Sequence, residues 1–139
     1  MTRPSKSLRD SIVTLAHGCC EYCQSQQIVV LDMELDHIQP ESAGGKTTLE
    51  NLFLSCLRCN RYKRNRVTGI DPDTGDEVAL YNPRTQIWAD HFKWSADQAT
   101  LIGLTATGRA TISRLKINDD NRVAARRLWV AGGLHPPKD

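Results

Sequence analysis

The sequence predicts an α+β fold of small elements stapled at two cysteine pairs, and three observations predict it. Cys20-Glu21-Tyr22-Cys23 and Cys56-Leu57-Arg58-Cys59 repeat one spacing across a long insertion. Two short, β-branched runs, 28–31 and 35–38, are separated by Asp32-Met33-Glu34, which reads as a hairpin. Helical spacing appears on both sides of that region, at 5–17, at 60–66 and twice beyond residue 104.

Each element has a local reason. Ser5 or Ser7 caps a first helix in which Leu8, Ile12, Leu15 and Ala16 recur until Gly18 stops it. Pro40 and Gly44-Gly45 mark residues 39–48 as a loop, and 49–54 is compact and apolar. A short helix at 60–66 continues from the second knuckle, which makes the core, 20–66, a strand, strand, helix unit with a long internal loop. Asp71-Pro72 and Thr74-Gly75-Asp76 make 68–77 the expected boundary with a C-terminal extension, 78–139. That extension reads as a strand at 78–81 and a hairpin of 91–94 with 99–104. Two helices follow, one from Thr105 or Thr107 to Ile117 and one from Asp119 or Asp120 to Gly132-Gly133. At 139 residues the whole, 1–139, is expected to be a single domain.

Composition narrows the function classes. Hydrophobic content is 40% and charged content 24%, ordinary for a globular protein. No apolar run approaches a membrane span, and residues 1–6 lack the apolar core of a secretion signal. The expectation is a cytoplasmic protein with no membrane contact, in a compartment where paired cysteines bind metal more often than they oxidise.

Each Cys-x-x-Cys lets two thiolates bite one tetrahedral ion, and four sulfurs leave no position open for water. Cys20, Cys23, Cys56 and Cys59 are therefore expected to hold a structural zinc that clamps the two ends of the core; two disulfides or four buried thiols are the alternative. Cys19, the odd cysteine, reads as a buried, inert thiol. Four thiolate charges against two from the ion would bring the formal +2 of the chain to zero. An overall field then cannot attract nucleic acid, and any such binding must come from a local basic patch.

Between the knuckles and directly after the second, Asp36, His37, Asn51 and Asn60 bring together the groups that phosphodiester hydrolysis needs. Histidine suits proton abstraction near neutrality. A hard divalent cation wants oxygen ligands, which Asp36 and Asn60 offer, and Asn51 can hold the imidazole of His37 by a hydrogen bond. Adjacent residues in a regular strand point to opposite faces, and Glu34 would share a face with Asp36. The Asp-His pair is therefore expected at a strand end or a bulge. Taken singly, each of these residues reads better as a turn, cap or surface residue; their joint occurrence with the paired cysteines reverses that reading. His17, His91 and His135 lack such company and read as structural.

Asp36-His37-Ile38-Gln39-Pro40, Gly44-Gly45, Asn51-Leu52 and Cys56-Leu57-Arg58-Cys59-Asn60-Arg61-Tyr62-Lys63 resemble the HNH endonucleases over residues 20–66. The resemblance implies a ββα-metal core with a four-cysteine zinc knuckle. It implies His37 as general base, Asn51 as its positioner, and Asp36 with Asn60 as ligands of the catalytic metal. The region after Asn82-Pro83-Arg84 is similar to the extension of small stand-alone bacterial HNH proteins. Asn60 stands where many members have histidine; oxygen-only ligands favour Mg²⁺ or Mn²⁺ over Ni²⁺ or Zn²⁺.

Arg58, Arg61, Lys63, Arg64 and Arg66 crowd around Asn60 and are the expected phosphate contacts. Arg61 and Arg64 would lie three apart on the helix, with Arg58 leading into the same side. Arg122 and Arg126 belong to a second basic set that reads as solvent-facing or paired with acids. The expected function is cleavage of double-stranded DNA by a one-metal mechanism. The alternative is a zinc-stabilised nucleic-acid-binding module without cleavage, and a third reading is a zinc domain for protein contacts.

Overall fold

The computed structural model describes residues 3–138. Helix α1, Lys6–Leu15, begins where the Ser5 hydroxyl accepts the Leu8 amide at 3.1 Å. Its apolar stripe sets Ile12 and Ala16 on Leu35, Leu52 and Leu54. The chain then reverses through His17 and Gly18, both with positive φ, into the first knuckle.

Strand β1, Met33–His37, pairs antiparallel with β2, Leu52–Cys56, Met33 opposite Cys56 and His37 opposite Leu52. Helix α3, Leu57–Lys63, follows β2 without a break, its first turn closed by Cys56 Sγ accepting the Cys59 amide at 3.5 Å. These three elements are the ββα unit.

The hairpin expected of 28–31 with 35–38 does not form. Residues Gln27–Val30 make one helical turn, α2, ended by Leu31 at φ 61°. The partner of β1 is buried at all five positions, so it must be apolar on both faces. Leu52-Phe53-Leu54-Ser55-Cys56 meets that condition at every position but Ser55, whereas Ile28 and Leu31 remain 65% and 69% exposed. Long-range burial overrides the β-branched local preference.

The boundary expected at 68–77 is itself a hairpin. Strand β3, Thr68–Ile70, pairs with β4, Glu77–Ala79. The turn between them is organised by buried Asp71, which accepts the Asp73 amide, the Thr74 hydroxyl and both arms of Arg109, the last at 2.9 and 2.8 Å. Arg109 belongs to α5, Ala106–Arg114, so this hairpin docks on the extension.

The rest of the extension follows the expected order. After the single turn α4, Trp88–His91, come the paired strands β5, Phe92–Trp94, and β6, Leu101–Gly103. Thr105 caps α5 by accepting the Gly108 amide at 3.0 Å, and α6 spans Asp120–Ala131.

One core joins extension and knuckle. Tyr22, Phe53, Tyr81 and Phe92 meet edge to face, with centroids 5.2–6.2 Å apart. Trp88 Nε1 donates to the Tyr22 carbonyl and Trp94 Nε1 to Gln24 Oε1, both at 2.9 Å. The extension thus covers the face of β2 that α1 leaves open. Among the described residues no helix is long and apolar enough to cross a membrane.

Candidate functional site

The sulfurs of Cys20, Cys23, Cys56 and Cys59 all lie within 4.8 Å of one another and are buried. Cys23 and Cys56 are 3.8 Å apart. Tetrahedral ligation at about 2.3 Å per Zn–S bond places sulfurs about 3.8 Å apart, so the cluster fits a structural zinc ion. Cys19 lies outside the cluster, its thiol donating to the His17 carbonyl, and burial raises its pKa.

A residue that sequence reasoning misplaced completes this centre. Arg122, expected at the surface, is buried and donates from Nη2 to Cys59 Sγ at 3.1 Å and towards Cys56 Sγ at 3.8 Å. Its Nη1 donates to the Leu115 carbonyl at 2.9 Å. The thiolate charges beside it hold its pKa above the usual arginine range, against the opposing cost of burial. Arg126, one turn on, is also buried, donating to the Ala99 and Ile117 carbonyls. Helical spacing was visible for this pair, but not that it points inward.

The second group of residues gathers where β1 ends. The β1–β2 ladder runs regularly through Asp36 and His37 without a bulge, and His37 is the last residue of the strand. Even so, Asp36 Oδ1 approaches His37 Nδ1 to 3.6 Å while accepting the His37 amide at 2.7 Å. His37 is buried, and Asp36 keeps a third of its side chain exposed.

Asn51 does not bond the imidazole, as had been expected of it. Its Oδ1 accepts the Gln39 amide at 2.8 Å, and its Nδ2 donates to the carbonyls of Gln39 and Lys46 at 3.0 and 2.8 Å. It closes the loop between Gln39 and Lys46, and Gly45 lets that loop close. A Cβ at Gly45 would collide with the Gln39 carbonyl and meet Asn51 Nδ2 at 2.9 Å. The residue after Lys46, Thr47, reaches His37 instead, its Oγ1 2.9 Å from Nε2. No sequence signal marked Thr47.

Asn60, on α3, crosses behind β1. Its Nδ2 donates to Glu34 Oε2 at 2.5 Å, and its Oδ1 is buried without a hydrogen-bond partner among the described residues. An ionised carboxylate only accepts, so Glu34 turns the amide nitrogen towards itself and leaves the oxygen free. Alternation had placed Glu34 on the Asp36 face of β1; its role towards Asn60 was not foreseen.

Of the five basic residues expected to meet phosphate, Arg58, Arg61, Arg64 and Arg66 are exposed. Lys63 corrects the expectation: it is 1% exposed, with Nζ donating to the Ile38 carbonyl at 3.3 Å and lying 5.2 Å from the Phe53 ring centre. Burial pushes its pKa down to about 8, with Asp36 opposing. It faces inward because it shares the α3 stripe of Cys56 and Cys59. Arg64, at φ 54°, ends the helix, so Arg64 and Arg66 leave the α3 surface instead of extending it beside Arg61.

Comparison with known proteins agrees with this arrangement. The HNH endonuclease family model matches residues 20–66. The chain is 26% identical over 114 residues to the Septu protein PtuB of Bacillus mycoides (strain KBAB4), covering 64% of this chain and 39% of that protein. The chain therefore spans well under half the length of that relative. No solved structure matches it. Residues 20–66, the ββα unit with its cysteine knuckle, are an HNH endonuclease domain.

Proposed function

We propose that this protein is a metal-dependent DNA endonuclease in which His37 activates water for attack on a phosphodiester. The observation that carries this reading is the unpartnered Asn60 Oδ1, held open by Glu34 on the strand that also presents Asp36. A buried carboxamide oxygen without a donor is costly unless something else satisfies it. A hard cation held by Asp36 and Asn60 would do so, and two oxygen ligands of this kind suit Mg²⁺ or Mn²⁺. Such an ion would supply charge stabilisation at the phosphate and the leaving oxygen.

The protein's own groups do the rest. His37 Nε2 lies 2.9 Å from Thr47 Oγ1 and 3.9 Å from Glu41 Oε1, and Nδ1 lies 3.6 Å from Asp36 Oδ1; the ring nitrogen that carries no proton serves as the base. Asn51 holds the backbone beside Thr47 and so acts on the imidazole through the loop. Arg58, Arg61, Arg64 and Arg66 supply exposed positive charge around the domain for the phosphate backbone of double-stranded DNA.

Supercoiled plasmid incubated with the protein and Mg²⁺ or Mn²⁺ should become nicked or linear. Cleavage should stop with His37→Ala and with EDTA. Equal cleavage by wild type and His37→Ala would overturn the role of His37. Salt-sensitive DNA binding without cleavage in any divalent metal would favour a binding module instead.

A further inference from the structure

A cleft of about 420 Å³ runs between α3 and α6 beside the cysteine centre. Arg58 and Arg61 line it from α3, and Arg122 and Arg126 from α6. Among the described residues no Asp or Glu lines it, although the chain holds 16 acids against 18 basic residues. Arg122 is engaged by the Cys59 sulfur and Arg126 by carbonyl groups, and the thiolates of the cysteine centre balance their charge, so the unpaired positive charge of the cleft comes from Arg58 and Arg61. Arg58 and Arg61 are exposed and free to move towards a ligand. The apolar part of the lining includes Trp129 and Ala125.

Charge calls for an anion here, and the indole calls for a flat or apolar group attached to it. A nucleotide has both. The size is decisive between forms of nucleic acid: a cleft of this volume suits one small ligand, and a base stacked within a duplex cannot enter it. Arg58 and Arg61 also flank Asn60 in sequence, while Asn60 turns to β1. A helix is only about 10–12 Å across, so a strand gripped on this side passes close to the β1 corner.

We propose that the α3–α6 cleft takes an unpaired nucleotide of a nucleic-acid strand, with Arg58 and Arg61 at its phosphate and Trp129 against its base. The proposal rests on the nuclease reading for the choice of polymer, and it adds a preference for strands with unpaired positions. The extension then has a task of its own: α6 supplies half of a strand-holding groove.

The test is binding without divalent metal, followed by fluorescence anisotropy. The probes are a labelled oligothymidylate, a blunt duplex of the same length, and that duplex carrying a short gap. Wild type should bind the oligothymidylate and the gapped duplex about tenfold more tightly than the blunt duplex. Ala125→Glu, which puts a negative charge in the cleft, should remove that preference. Trp129→Leu should weaken binding of the unpaired probes at least about fivefold, the lower range for loss of one stacked base. Trp129→Phe, which keeps an aromatic face and controls for folding, should restore most of it.

Unchanged binding of all three probes by Ala125→Glu and Trp129→Leu, with both folded by circular dichroism, overturns the proposal and leaves the cleft to an acidic protein partner. Competition by free AMP as strong as by the oligothymidylate also overturns it, because the site then reads a nucleotide and not a strand. The two readings fail separately. Plasmid cleavage by wild type with unaltered binding by the variants sinks the cleft alone; loss of binding in the variants with no cleavage by wild type sinks the nuclease alone.

Discussion

The cysteine centre and the corner formed by Asp36, His37 and Asn60 share helix α3 and are built in opposite ways. At the first, four sulfurs lie within 4.8 Å of one another, all buried, and Arg122 closes the remaining side. At the second, each group is oriented from a different segment: the imidazole by Thr47 in the loop, the carboxamide by Glu34 in β1, the loop itself by Asn51. Asp36 there stays a third exposed, and Asn60 keeps an oxygen unpaired. Soft ligands that fill a coordination sphere hold a fold together; hard ligands that leave room can do chemistry.

The contrast predicts that damage at the closed centre is structural. Cys56→Ser, or removal of zinc, should abolish the cooperative thermal transition. Metal binding in such centres contributes about 10–16 kcal/mol, comparable to the whole stability of a small domain. Metal analysis should find about one zinc per chain. A protein that melts normally with no zinc bound would end the structural role.

Damage at the open corner should instead be chemical. His37→Ala should lower plasmid cleavage by about 10²–10⁴-fold, the usual weight of a general base, with the circular dichroism spectrum retained. Cleavage at the wild-type rate would break the contrast.

Two further variants sharpen it by acting through neighbours. Arg122→Met should weaken zinc binding by about 10–100-fold in chelator competition, because it removes the cation beside Cys59. Glu34→Ala should raise the Mg²⁺ needed for half-maximal cleavage by about tenfold, since Asn60 loses the partner that fixes which way its carboxamide faces, while zinc content stays constant. If Glu34→Ala lost zinc, or Arg122→Met kept full affinity, the two centres would not be separable in this way.

The smallest effect lies outside both centres. The Arg109 fork beside Asp71 holds that carboxyl well below the usual carboxylate range. A carboxylate whose folded pKa is depressed contributes stability above its unfolded pKa, near 3.9, and loses that contribution as pH falls below it. Asp71→Asn should therefore lower the melting temperature at pH 7 and narrow its difference from wild type towards pH 3. A difference that stays constant over that range would show that the ion pair contributes no pH-dependent stability.

Much of the extension was legible because its signals are local. Thr105 as a cap, the turn at Ser95–Gln98 and the glycines after α6 act within a few residues, and those elements formed where expected. The pairing of β1 was not legible from 28–31, whose β-branched residues favour a strand locally. Its true partner lies beyond the loop, chosen because it is apolar on both faces. The hairpin at 68–79 was not legible for a related reason: turn residues mark a hairpin tip as well as a linker, and the contact to Arg109, 38 residues on from Asp71, exists only in the folded chain.

The cysteine cluster was determined by sequence alone, because a two-residue spacer sets the bite of each thiolate pair wherever the chain goes. So was the presence of a carboxylate, an imidazole and one amide between the knuckles, with a second amide directly after them. Their orientation was decided only by tertiary structure. Whether Asn51 meets the ring or the loop, whether Lys63 faces solvent or Phe53, and whether Arg122 meets water or sulfur depend on which surfaces bury each other. Polar side chains take their partners from whatever the buried core brings within reach, and in a small α+β fold most of those partners come from distant segments.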